Sequence, residues 1–255
     1  MAKCRLKASF YFIMVLLLLS SCATPETTLQ NQKNAKASRK LGEAYLADGN
    51  FRSALGELLK AEALNPNDPF LHNDLGLVYN KKEKLDLAVI HFKKAIELNP
   101  SYSQAKNNLG SVFIIQKQWD NAIAVLEEVT GDMLYATPHF PLTNLGIAYY
   151  YKGRYDKARH YLKKALALKP DFFLAQLNLG RTYLATGELN EARTILEKAA
   201  ETYPENPALL LEMGRTYRRL GDSKTAVLAL KGAIELTEDS NLAVEASEEL
   251  KKIYR

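Results

Sequence analysis

Residues 145–170 read LGIAYYYKGRYDKARHYLKKALALKP. Two helices are written in this stretch. Leu145 and Tyr149 stand four apart, which puts them on one face of a first helix. Gly153 falls where that helix would end in a left-handed cap. Gly146, Ala158 and Ala165 are small, so the two helices can approach closely. Pro170 lacks an N–H and closes the second helix. The same order recurs along the chain. Glycines stand at 42, 76, 110, 146, 180 and 214, with spacings of 34, 34, 36, 34 and 34. Leu41, Leu75, Leu109, Leu145, Leu179 and Met213 precede them. Tyr45, Tyr79, Phe113, Tyr149, Tyr183 and Tyr217 follow three residues later. Ala54, Ala88, Ala122, Ala158, Ala192 and Ala226 follow twelve residues later. Gly49, Gly187 and Gly221 mark the ends of other first helices, as Gly153 does.

This pattern resembles the tetratricopeptide repeat, a helix-turn-helix unit of 34 residues with L-G-x2-Y, A-x3-F and Pro landmarks. One helix pair cannot bury its apolar stripe alone, so units stack. The resemblance implies an all-α, right-handed superhelical solenoid of six repeats: 35–68, 69–102, 103–138, 139–172, 173–206 and 207–240. Residues 241–255 are amphipathic and read as a helix that caps the last open face. The third unit departs from the rule. Its second helix stops near Gly131, it has no closing proline, and two extra residues follow. Either a loop insertion is tolerated there, or the connection over 130–141, with Pro138 and Pro141, changes the superhelical path or meets a partner.

Residues 1–22 form a different kind of segment. Lys3, Arg5 and Lys7 precede an unbroken apolar run from Phe10 to Leu19, then Ser20, Ser21 and Cys22. That is the order of a secretory signal. Ten helical residues span about 15 Å, half the roughly 30 Å hydrocarbon core, which disfavours a permanent membrane span. Leu19-Ser20-Ser21-Cys22 resembles the lipobox of bacterial lipoproteins, against the plainer reading of ordinary cleavage beside an incidental cysteine. The resemblance implies that residues 1–21 are removed and that Cys22 carries acyl chains, a membrane anchor. Several chains, at about 0.8 kcal/mol per buried CH2, hold stably where one does not. Ala23, in place of an aspartate, implies the outer membrane and a periplasmic location. Residues 22–34 are polar without periodicity and read as a flexible tether of roughly 20 Å reach.

Charge and chemistry narrow the function. The chain carries 34 Lys and Arg against 29 Asp and Glu, a net +5. Three of those cations lie in the signal, so the remainder holds 31 against 29, and nucleic acid is not the expected partner. Cys4 and Cys22 both precede the repeats, which excludes a disulfide or cysteine-held metal there. His72, His91, His139 and His160 fall at different repeat positions and form no metal-ligand motif. No nucleophile elbow, phosphate loop or dinucleotide motif is present, so neither a cofactor nor catalysis is expected. Alternating Lys and Glu on helix faces read as solvated surface.

In repeats of this family the first helix of each pair lines a concave groove, at repeat positions 2, 5, 6, 9, 12 and 13. Those positions supply an apolar set: Phe70, Leu77, Ile114, Ile115, Phe140, Ile147, Tyr150 and Tyr151, then Leu174, Leu177 and Leu184. Among them stand Asn73, Asn107, Asn108, Asn144 and Asn178, as hydrogen-bonding groups or as ordinary consensus residues. Arg181, Arg215, Arg218 and Arg219 turn the set cationic toward the C-terminus. The apolar residues serve either a protein or peptide partner or packing against the neighbouring helix. The arginines suit acidic side chains or a terminal carboxylate. Lysines are scarce at positions 5 and 9, so the set does not resemble the two-carboxylate clamp of chaperone-type repeats.

Lipobox, short tether and six repeats together resemble the type IV pilus biogenesis and stability lipoproteins, or pilotins. The NNLG at 107–110 and LYATPHFPLTNLG ending at Gly146 carry this second resemblance. It implies a scaffold that helps a secretin subunit localise and assemble. The alternative is a lipoprotein adaptor that recruits cell-wall hydrolases or proteases.

Overall fold

The computed structural model describes residues 25–132 and 135–254, so the signal and Cys22 lie outside the described residues. Among the described residues there are thirteen helices and no strand. The chain divides into two compact units, Met1–Lys84 and Leu85–Arg255.

In the first unit, α1 (Pro25–Ala47) packs on α2 (Phe51–Leu64), and α3 (Pro69–Lys81) packs on both. Ala54, Leu58 and Ala61 of α2 meet Leu71, Leu75 and Val78 of α3 in a buried cluster. Asn50 caps α2, its Oδ1 accepting from the Ser53 N–H at 3.1 Å. Asp68 caps α3 in the same way, with Pro69 in the first helical position, where a missing N–H costs nothing. The helix over 25–34 replaces the expected flexible tether. Pro25 opens α1, and nothing between Glu26 and Leu41 breaks a helix. The segment has no apolar stripe, but a helix needs none where it continues from a packed one. The α1 helix instead propagates outward from the part that packs on α2, and residues 29–34 project with every side exposed.

The second unit holds α4 (Leu85–Leu98), α5 (Ser103–Ile115), α6 (Trp119–Thr130), α7 (His139–Tyr151), α8 (Tyr155–Leu168), α9 (Phe173–Thr186) and α10 (Leu189–Ala200). It continues with α11 (Pro207–Leu220), α12 (Ser223–Leu236) and α13 (Ser240–Lys251). Each helix packs on the next in sequence. In addition α5 meets α7, α7 meets α9, α9 meets α11, and α11 meets α13. Among the described residues of this unit, the even-numbered helices touch only their sequence neighbours. Two layers result, with α5, α7, α9 and α11 side by side in the inner one.

One contact repeats through both units. A Cβ on Gly146 would stand 2.5 Å from Leu162 Cγ, and Gly42, Gly110, Gly180 and Gly214 stand likewise against Leu58, Leu126, Leu196 and Leu230. Each leucine is fully buried and lies sixteen residues after its glycine. The missing side chain is thus what lets the two helices of a hairpin close. The turn between the two helices also repeats. Gly49, Gly153, Gly187 and Gly221 have φ between +70 and +85°, as the left-handed cap requires. Glu83 (φ 58°) and Lys117 (φ 59°) hold the same place without glycine, against the steric preference of L-residues. α13 packs on α11 and α12, and its Ala246 joins Leu211, Leu230 and Ala233 in the last buried cluster.

Candidate functional site

The inner layer carries an open cleft of about 740 Å³ over α5, α7 and α9. Phe140 (41% exposed) and Leu174 supply its apolar surface. Asn107, Asn108 and Asn144 supply the polar part, and Asn144 Nδ2 donates to Asn107 Oδ1 at 3.1 Å, linking α7 to α5. The irregular connection forms one wall. Asp132, Tyr135, Ala136 and Thr137 line the cleft, and the Ser103 hydroxyl donates to Asp132, which ties the connection to the start of α5. The Phe140 ring meets Phe172 edge-on at 5.2 Å. His139 packs against both rings, its Nε2 buried without a hydrogen-bond partner, and burial lowers its pKa. Sequence positions alone pointed to Phe140, Leu174 and the asparagines. Asp132 and Tyr135 lie in the connection over 130–141 that the sequence offered as a partner contact without naming its residues, and Ser103 carried no signal.

Several expected groove residues are not available to a partner. Ile147 (9% exposed), Leu177 (4%) and Leu184 are buried. Neighbouring helices of both layers cover them: Leu177 packs with Leu196 and Ala199 of α10 and Leu209 of α11, and Leu184 belongs to the cluster of Leu142, Leu162 and Ala192. Asn178 is buried as well, its Nδ2 donating to Leu174 O at 2.7 Å on its own helix. Asn107 is largely buried under its bond to Asn144. Ile115 and Tyr151 are exposed, whereas Ile114 and Tyr150 are half-buried. Tyr151 stacks on Trp119 at 4.6 Å, and Tyr150 meets Tyr151 edge-on. In the first unit, Phe70 is exposed beneath the Arg39 guanidinium at 5.5 Å, Leu77 is half-buried and Asn73 is buried.

The arginines are not free cations. They are partnered inside the fold. Arg181 Nε donates to Glu212 Oε1 at 2.8 Å, and Arg215 Nη1 reaches the same oxygen at 3.1 Å. Arg215 Nη2 donates to Glu245 at 2.6 Å. Arg218 Nε donates to Glu249 Oε2 at 2.9 Å, and Lys252 Nζ donates to its other oxygen at 2.7 Å. Arg219 donates to the carbonyl of Leu184 near the end of α9. Glu212 and Glu249 are themselves buried. Burial would raise the Glu249 carboxyl, but the Lys252 hydrogen bond and the charges of Arg218, Lys252 and Arg215 hold it below its ordinary value. Burial opposes the charge on Arg215, and Glu212, Glu245 and Glu249 overcome it. These residues line a second cleft of about 260 Å³ with Tyr150 at one side. One signal could have found the network: Glu212 stands where Asn178 and Asn144 stand one and two repeats earlier.

Three tetratricopeptide-repeat family models match residues 69–102, 143–207 and 207–240, together more than half of the chain. The chain is 28% identical over 156 residues to the type IV pilus assembly protein PilF of Pseudomonas aeruginosa, a match covering 59% of this chain and 62% of that protein. It is 32% identical over 106 residues to the photosystem I assembly protein Ycf3 of Acaryochloris marina, covering 40% of this chain and 63% of that one. The solved structure of Pseudomonas aeruginosa PilF aligns with a TM-score of 0.74 at 24% identity, over 86% of this chain and 99% of that one. That of PilW, a widely conserved type IV pilus biogenesis factor, aligns at 0.75 and 22%, over 87% and 98%. At those identities the structural likeness is one of fold. The landmarks, the hairpins and the family matches agree: the chain belongs to the tetratricopeptide-repeat family.

Proposed function

We propose that this chain is a lipid-anchored scaffold of the bacterial envelope that supports type IV pilus assembly by holding a segment of a secretin subunit in the cleft over α5, α7 and α9. The cleft itself carries the reading. Phe140 and Leu174 are exposed beside asparagines under a connection found in one hairpin only, and an apolar patch with a polar rim is a surface suited to a partner. A strand-like or helical segment fits such a groove. The relation to PilF, a type IV pilus assembly protein, supplies the pilus. Among the described residues no helix is long and apolar enough to cross a membrane. In this reading attachment rests on Cys22, with the outer membrane as its place.

The test uses full-length protein in its native host. Phe140→Asp with Leu174→Asp should leave the circular dichroism unchanged, abolish heat-stable secretin multimers on immunoblots and remove surface pili. Normal multimers and pili in a folded variant would sink the secretin role, and recovery of a cell-wall hydrolase on the wild-type protein alone would support the adaptor reading instead. Cys22→Ser should lose incorporation of a palmitate analogue; equal labelling would remove the anchor.

A further inference from the structure

The smaller cleft is lined by four arginines and two glutamates, a surplus of two positive charges. Adding Glu245 and Lys252, which pair into the cluster, leaves that surplus unchanged. The arrangement has a direction. Glu212 and Glu249 are buried and lie on the inner side, and they bind Arg181 and Arg218 through Nε. Among the described residues those are the only hydrogen bonds that the Arg181 and Arg218 side chains make, so the two terminal nitrogens of each guanidinium remain available. A guanidinium held by one edge and open along the other is prepared for a carboxylate, which its paired N–H groups bind in a fork. Preparation matters because the side-chain entropy that an arginine normally loses on binding is already spent in the fold. Tyr150 adds a hydroxyl at the rim.

We propose that this cleft is a second docking site, separate from the Phe140 cleft, that takes an acidic segment of a protein partner through two carboxylates, one on Arg181 and one on Arg218. The inference does not depend on the pilus reading, since it concerns other residues and a different chemistry. Buried Glu212 and Glu249 serve as positioning residues here, not as ligands.

The experiment uses the full-length chain in mild detergent and a fluorescein-labelled peptide, Gly-Ser-Glu-Glu-Glu-Glu-Gly-Ser-amide, followed by fluorescence polarisation. The glutamine counterpart should bind at least tenfold more weakly. Arg181→Lys with Arg218→Lys keeps the charge and removes the forks, and should weaken the glutamate peptide about tenfold. Lys163→Gln with Lys164→Gln on α8 lowers the charge elsewhere and should change binding less than twofold. Equal binding of the two peptides overturns the proposal, as does an equal loss in the α8 variant, which would mean unspecific attraction. A glutamine peptide with a free C-terminal carboxyl should bind no better than its amide; if it alone binds, the site reads chain ends and the proposal falls. Should the double lysine variant fail to fold, a benzophenone on the glutamate peptide decides with wild-type protein. Crosslinks in α9 or α11 support the site, and crosslinks confined to other helices overturn it.

Discussion

The same substitution, glycine to alanine, should have opposite signs at two places in this fold. In a helix interior, alanine is favoured over glycine by about 0.8–1.0 kcal/mol. At Gly56, inside α2, a Cβ meets nothing within 4 Å among the described residues, so Gly56→Ala should gain about that much. At Gly146 the new Cβ would lie 2.5 Å from Leu162 Cγ, 2.8 Å from its Cδ2 and 3.3 Å from the Ala158 carbonyl. Carbon atoms want about 3.5–4.0 Å, so roughly 1 Å of separation must be found. The leucine is fully buried, and the clash is at its branch carbon, which rotation about χ2 leaves in place and rotation about χ1 would drive into the packed cluster around it. Helix α8 itself must move. Overpacking costs about 1–3 kcal/mol, and the upper half applies when backbone shifts. After the helix-propensity gain, Gly146→Ala should destabilise by about 1–2 kcal/mol, leaving the two variants about 2–3 kcal/mol apart. Urea denaturation followed at 222 nm measures this. A cycle with Leu162→Ala adds a check: that substitution should cost less in the Gly146→Ala background, because the new methyl fills part of the cavity. Equal stabilisation by both alanines would refute the close contact as the reason for the repeating glycine.

Burial, with the negative charge of Glu43 beside it, pushes Asp74 up to about 7, against the attraction of Arg39. A carboxyl raised in the folded state favours folding at low pH. Its contribution is complete below about pH 4 and is lost as pH rises to about 7. Asp74→Asn should therefore gain stability relative to wild type across that window, and a constant difference between the two denaturation curves would contradict the assignment. Ile147→Asp should melt the hairpin, because it places a charge at a buried position, while Ile115→Asp, at a site 53% exposed, should leave circular dichroism intact; identical behaviour would mean the burial is misplaced. Lys117→Gly should stabilise by about 0.5–1 kcal/mol, since relief of a left-handed backbone exceeds the entropy that glycine adds to the unfolded chain, and a lowered urea midpoint would count against strain at that turn.

The hairpins were legible because their landmarks are steric. A glycine facing Leu162 and a left-handed residue at 153 leave no freedom, so they recur at a fixed spacing. Glu83 and Lys117 were invisible as left-handed turns, since neither residue signals φ > 0 and only the flanking helices impose it. The groove was legible in outline and wrong in detail. Repeat position gives the face of a helix, but Ile147 and Leu177 are buried, Leu177 against Leu196 and Ala199 of α10 and Leu209 of α11, which one helix's periodicity does not report. The arginines read as free cations because their counterions come from α11 and α13, 30 or 31 residues away for the pairs to Glu212, Glu245 and Glu249 that cross between helices.

The projecting part of α1 changes what an anchor at Cys22 would do. The ten helical residues before Ala35 extend about 15 Å and do not bend back on themselves as a coil of similar length does. A leash would let the repeats sample a hemisphere of bilayer surface, with partner sites facing any way. If Cys22 is anchored, a rod would instead confine the first unit to a shell and limit its rotation. For a partner fixed in the same membrane, that confinement raises the effective concentration of correctly turned sites without adding a contact. Breaking the rod would then weaken capture in the membrane while leaving the affinity in solution untouched.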